Sequence, residues 1–299
     1  MADLPQETQA RHTLFSHPLN GGLARSPARK EELMSPQGAS TQNPPAQDGH
    51  KHAGWHQKFI VEERFVPAAV RTRLYATSLV LVVVGLTVFL ILLQGVQTHT
   101  GFQRLDEPVN TWFMSLRSPA LTGFMVALAF IFGPIALPII VLVVVVIWTF
   151  LTKHAWRPFL LAAGMITGVI LAQVLAPLVR HPRPPVDLML IGADSTFSFP
   201  SGHVLGTSDF LLILAFLIAS RRQKTSLTVL LFSIATAVIL AQVASRLYLG
   251  YHWITDTTAS MALSLVILGA VMAIDTARTV RVNGEHVKGE HSQPQVDGT

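Results

Sequence analysis

Residues 118–152 read SPALTGFMVALAFIFGPIALPIIVLVVVVIWTFLT, with no charged side chain between Arg117 and Lys153. At 1.5 Å per helical residue this stretch would extend about 50 Å, against a hydrocarbon core of about 30 Å. It is too long for one upright helix and too short for two with a comfortable turn. Gly133-Pro134 and Pro138 either kink one long, tilted helix or break it in two. The choice sets the number of membrane crossings, and with it the side on which every loop lies.

Five other runs have the length of a span: Leu74–Gln94, Phe159–Val179, Val204–Ser220, Leu227–Ser245 and Trp253–Ile274. Charge decides the count. If residues 118–152 cross once, there are six spans and both ends share a side. That side then gathers Arg71, Arg73, Lys153, Arg157, Arg221, Arg222, Lys224, Arg278 and Arg281. Two crossings would put Lys153, Arg157 and the Arg221-Arg222-Gln223-Lys224 turn outside, against the positive-inside rule. The expectation is an all-α, polytopic membrane protein. It is a six-transmembrane-helix bundle in the plasma membrane with cytoplasmic termini and outer loops near 95–118, 180–202 and 246–252.

Composition agrees. Of 299 residues, 50% are hydrophobic and 13% charged, where a soluble domain has about 25% charged. A mean hydropathy of +0.46 excludes a soluble globule and a mostly disordered chain. The absence of cysteine excludes disulfides, thiolate zinc sites and a cysteine nucleophile. A net charge of +5 would point to nucleic acid in a soluble protein. Here the basic residues lie between apolar runs, so topology accounts for them and no nucleic-acid partner is expected.

Residues 1–54 are polar and read as a disordered tail with no signal peptide. The membrane domain is residues 55–276. It opens with a mixed segment, 55–73, whose Trp55, Phe59 and Ile60 suit the membrane interface. Residues 277–299 form a second polar tail, with His286 and His291 solvated. Val109, Trp112, Phe113 and Leu116 repeat at helical spacing, as in an amphipathic helix on the outer surface. Gly164, Gly168, Ala172 and Ala176 form a small-residue stripe suited to close helix contact.

Three short segments carry the chemistry: Arg180-His181-Pro182-Arg183-Pro184-Pro185, Phe199-Pro200-Ser201-Gly202-His203, and Ser245-Arg246 through His252 to Asp256. Two crossings separate the second from the third, so all three meet on one membrane face. Arg183 and Arg246 are fixed cations whose planar forks match phosphoryl oxygens. Ser201 and Gly202 begin a helix, where free N–H groups and the dipole favour an anion. His252 and Asp256 are four apart on a helix, so the carboxylate can hold the imidazole in one tautomer. A histidine so oriented is a candidate nucleophile, with His203 as acid for the leaving oxygen. Singly, each feature has a commoner structural reading as an interfacial arginine, a turn or a helix cap. Together on one face of a bundle, where charge is costly, they point to a phosphate-ester site.

The set resembles the type-2 phosphatidic acid phosphatases, or lipid phosphate phosphatases, over about residues 74–274. That family's pattern is Lys, six residues, Arg-Pro; then Pro-Ser-Gly-His; then Ser-Arg, five residues, His, three residues, Asp. This chain has Arg183-Pro184, Pro200-Ser201-Gly202-His203, and Ser245-Arg246 with His252 and Asp256 at the full gaps. Leu116-Arg117-Ser118-Pro119 also looks like the family's lead into its second span.

The resemblance implies a six-helix bundle acting on a lipid phosphate or pyrophosphate, of the undecaprenyl pyrophosphate or phosphatidate type. His252 would become a phosphohistidine, oriented by Asp256, and His203 would act as acid and then activate water. Arg183, Arg246, Ser201 and the Gly202 N–H would hold the phosphoryl group. No metal and no cofactor is implied. The family's Lys falls on Ala176, and Arg180, one turn further on, is the expected substitute, so Arg180→Ala should cost more activity than Arg117→Ala. Asp209, an intramembrane carboxylate, is expected to pair with a hydroxyl or tune His203. Two rivals remain: a vanadate-dependent haloperoxidase, which the six spans argue against, and a non-catalytic lipid-phosphate-binding or transport protein.

Overall fold

A computed structural model describes residues 62–152, 154–285 and 293–294. Eight α-helices carry the fold: α1 (Ala68–Thr98), α2 (Asp106–Ser115), α3 (Pro119–Ile131), α4 (Ala136–Leu151), α5 (Trp156–Val179), α6 (Gly202–Arg222), α7 (Thr225–Tyr248) and α8 (Ile254–Thr279). Three short strands complete it: β1 (Glu62–Val66), β2 (Val280–Val282) and β3 (Gln293–Pro294), all parallel in the order β2-β1-β3.

Five helices, α1, α5, α6, α7 and α8, are long and apolar enough to span a bilayer. Helices α3 and α4 together form a sixth candidate, bent by 52° at the Gly133-Pro134 break. The strands decide how that pair is counted. β1 precedes the first span and β2 follows the last, and Arg64 pairs with Val280 in register. Both ends therefore lie on one side, which requires an even number of crossings. The bent pair is one span and the bundle has six.

Helices α6 and α8 run through the middle. Their apolar side chains, with Phe89, Leu161 and Phe199, form the core around Leu205, Ile213, Leu217 and Ile267. Helices α1, α3, α4, α5 and α7 surround them and expose large apolar side chains such as Leu79, Ile91, Phe130, Leu142 and Ile170. That outward apolar surface is the reverse of a soluble fold and is what acyl chains cover. Where α1 meets α8, a Cβ at Gly85 would come 2.6 Å from the Ala262 carbonyl and one at Gly269 2.7 Å from that of Ser78. In the small-residue stripe, Gly164 admits Ile213 and Gly168 admits Asp209, both from α6.

Helix α2 lies at the loop end opposite the strands, with Asp106 and Glu107 in its first turn, where carboxylates complement the helix dipole. The amphipathic helix expected there spans Asp106–Ser115, with Val109 and Phe113 packed inward and Trp112 exposed. Helix α8 runs to Thr279 and β2 to Val282, past the boundary drawn at residue 276. Residues 1–61, Lys153, His286 and His291 lie outside the described residues.

Candidate active site

The three sequence segments meet at the end of the bundle away from the strands. The first follows the C-terminus of α5, the second leads into α6, and the third joins α7 to α8. Gly250 (φ +79°) turns that last connection, and a Cβ there would collide with the Leu188 carbonyl. Arg117 secures the same corner, donating to the carbonyls of Tyr248 (2.9 Å) and Leu188 (2.7 Å). Its role is structural.

His252 is buried between Asp256 and Arg183. Its Nδ1 lies 3.5 Å from Asp256 Oδ2, and its Nε2 accepts from Arg183 Nη1 at 3.2 Å. A guanidinium cannot accept a hydrogen bond, so Nε2 carries the lone pair and Nδ1 the proton. That is the tautomer a nucleophilic imidazole needs. Burial pulls the His252 imidazole down to about 4, with Arg246 and Arg183 adding to the effect and Asp256 opposing it. The ring is neutral at physiological pH.

Asp256 stands in the first turn of α8. Its Oδ2 accepts the Trp253 N–H at 2.8 Å, capping the helix. Its Oδ1 accepts from His181 Nδ1 at 2.9 Å, a contact that reading the sequence did not anticipate. Asp106 adds a second cap from α2, taking the Thr255 N–H and hydroxyl (3.0 and 2.8 Å). Burial raises the Asp106 carboxyl to about 6, against the lowering effect of the Thr255 hydrogen bonds.

Arg183 also donates to the Tyr251 carbonyl (2.7 Å) and the Thr196 hydroxyl (2.9 Å), and pairs with Asp194 at 3.0 Å. Burial alone would raise the Asp194 carboxyl, but hydrogen bonds from Thr196 and the Arg183 cation hold it below its ordinary value. Arg246 is buried with its guanidinium 4.7 Å from the centre of the Tyr251 ring, and its Nε has no hydrogen-bond partner. Ser201 is buried with a free hydroxyl, and Gly202 is exposed at the start of α6. The Ser201 carbonyl accepts from Ser260 (3.0 Å), which ties this turn to α8.

His203 faces Arg246, His252 and Arg183 from the first turn of α6 and lies beside the Ala129 backbone carbonyl. The break between α3 and α4 explains why that carbonyl is available. Gly133 N–H donates to Phe130 O (3.2 Å) instead of Ala129 O, and Pro134 has no N–H to give. A cavity of about 270 Å³ opens beside His203, lined by Gly133, Pro138, Gly168 and Ala172.

One expected residue is placed differently. Arg180 is exposed in the left-handed cap of α5 (φ 54°), its Nε donating to Pro177 O at 3.1 Å, and no contact joins it to the cup. Ala176 lies one turn back on the same helix and accepts the Arg180 N–H. Asp209 is buried in α6 beside the Ser264 hydroxyl, a neighbour of the expected kind, although neither of its oxygens makes a regular hydrogen bond. Among the described residues no group of three or more His, Cys, Asp or Glu side chains is arranged to hold a metal.

The model of the PAP2 superfamily matches residues 157–279, which include all three segments. Over those residues the chain is similar to the PAP2 superfamily. The chain is 27% identical over 188 residues to phosphatidylglycerophosphatase B of Bacillus subtilis (strain 168), covering 62% of this chain and 91% of that one. It is 29% identical over 168 residues to a putative undecaprenyl-diphosphatase of Escherichia coli (strain K12), covering 54% and 79%. In fold it is similar to the crystal structure of the first transmembrane PAP2-type phosphatidylglycerolphosphate phosphatase from Bacillus subtilis. That likeness has a TM-score of 0.58 and 23% identity, over 65% of this chain and 96% of that one.

Proposed function

We propose that this chain is an integral membrane phosphatase that hydrolyses a lipid phosphate or pyrophosphate through a phosphohistidine. The reading is supported by one observation above all: a neutral, buried imidazole with its Nε2 lone pair directed at Arg183 and its Nδ1 facing Asp256. The names of the relatives point to phosphatidylglycerol phosphate and undecaprenyl diphosphate as substrate classes.

His252 Nε2 attacks phosphorus in line, the P–O bond to the lipid breaks, and His203 protonates the departing oxygen. Asp256 stabilises the Nδ1–H as positive charge develops on the ring. Water then attacks the phosphohistidine while His203 takes its proton, and inorganic phosphate leaves. Arg183, Arg246, the Ser201 hydroxyl and the Gly202 N–H hold the phosphoryl oxygens. The reaction requires no metal. The basic helix ends beside the strands support cytoplasmic termini and a cup that opens at the outer leaflet of the plasma membrane.

The test is a substrate panel of phosphatidate, phosphatidylglycerol phosphate and prenyl pyrophosphate with purified protein in detergent, with and without EDTA. Phosphate release that survives EDTA is expected, as is labelled phosphate trapped on the wild type and lost in His252→Ala. Binding without turnover would favour the non-catalytic alternative, for which the missing cation at Ala176 is the support.

A further inference from the structure

Asp256 has two oxygens, and the reaction as derived uses one. Oδ1 is engaged by a residue with no part in that chemistry: His181, buried, with its Nδ1 2.9 Å away. A carboxylate only accepts, so Nδ1 of His181 is the protonated nitrogen. Its Nε2 is then an acceptor and faces the Gln103 amide at 3.2 Å. The His181 carbonyl accepts the Ser198 N–H (2.9 Å), which fixes the ring's backbone. Two imidazoles thus face opposite oxygens of one carboxylate.

We propose that His181 is a positioning residue for this reaction: by holding Asp256 Oδ1 it turns Oδ2 toward His252 and shares the carboxylate's charge between two rings. The proposal rests on His252 being the nucleophile. Capping does not require His181, because the Trp253 N–H is taken by Oδ2. Without it, Oδ1 would keep only the longer Ser198 contact of 3.3 Å. A carboxylate with fewer donors is more basic and pulls harder on the Nδ1 proton of His252. The nucleophile would then take up a second proton at higher pH and lose its lone pair.

The other groups around the pair are Arg183 beside His252 and Arg246 near it. His203 faces it from α6, Asp194 from the 189–200 loop and Asp106 from α2. They are unchanged in every variant below, so a shift of the acid limb reports on His181.

The experiment measures kcat and KM against pH for full-length protein in detergent with a short-chain phosphatidate. It compares wild type, His181→Ala, His181→Asn and His252→Ala. His181→Ala should lose kcat on the order of tenfold with KM nearly unchanged, and its acid limb should rise by about one pH unit, the size of one charge-assisted hydrogen bond. His181→Asn keeps an N–H near the position of Nδ1 and should recover most of kcat and return the limb. Equal losses in both variants with an unmoved limb would make the role merely structural and overturn the proposal, as would a His181→Ala enzyme matching the wild type. Turnover by His252→Ala would instead remove the nucleophile assignment, and the proposal with it.

Discussion

Two buried carboxylates in adjacent central helices have opposite surroundings. Asp256, at the start of α8, is reached by a backbone N–H and two imidazoles. Asp209, in α6, has only the Ser264 hydroxyl beside it and no regular hydrogen bond. The difference follows from position. A helix N-terminus has free N–H groups and adjoins loops that can bring further donors, whereas a helix interior has spent its own. Asp256 is thereby fixed and aimed. Asp209 is accommodated where Gly168 of α5 leaves room, at the cost of a desolvated polar group. Asp106 stands between the two, with Thr255 as partner yet enough burial to lift its carboxyl to about 6.

Breaking the well-partnered member should have the largest effect. Asp256→Asn places an amide donor against a ring N–H and favours the wrong tautomer of His252. The expected loss in kcat is on the order of 10³ or more, the scale of such changes beside catalytic histidines. Steady-state phosphatidate hydrolysis measures it, and a loss under about tenfold would mean that the partnered carboxylate is not an orienting group.

The unpartnered member should affect stability instead. Gly168→Ala puts a methyl into the Asp209 carboxyl and should cost about 1–3 kcal/mol by overpacking. Asp209→Ser in the same chain should restore most of the melting temperature. A double variant no more stable than Gly168→Ala would place the conflict elsewhere.

Asp106 should give the smallest effect, and one with a definite sign. Its folded pKa of about 6 lies above the ordinary 3.8. Between these values the folded state binds the proton that the unfolded chain releases, so stability rises as pH falls from 7 toward 4. Asp106→Asn should flatten that part of a melting-temperature profile. An unchanged slope would assign the pH dependence to other groups.

Much of this architecture was legible in the residues. Charge-free runs mark the spans, and the basic turns favour six crossings, the number that the β1–β2 pairing independently requires. The spacing of Arg183, His203, Arg246, His252 and Asp256 is enough to bring them to one face. What it does not convey is which atoms meet. His181 stands two residues before Arg183 in the same quoted segment, but its use depends on which oxygen of Asp256 the helix cap leaves open. Gly133-Pro134 announces a break, but not that the break leaves the Ala129 carbonyl open beside His203. Spacing put Arg180 one turn beyond the missing lysine. The left-handed cap of α5 turns its side chain back onto Pro177, and a helical projection does not extend past the end of the helix.

The bond from Arg183 to His252 Nε2 has a consequence of its own. If His252 is the nucleophile, its lone pair is sheathed by a cation at rest, and a neutral electrophile meets no free nitrogen. On that reading, a ligand with enough negative charge to draw the guanidinium onto itself would bare the nitrogen. Discrimination between a phosphomonoester and an uncharged triester would then precede any contact with the lipid's tail.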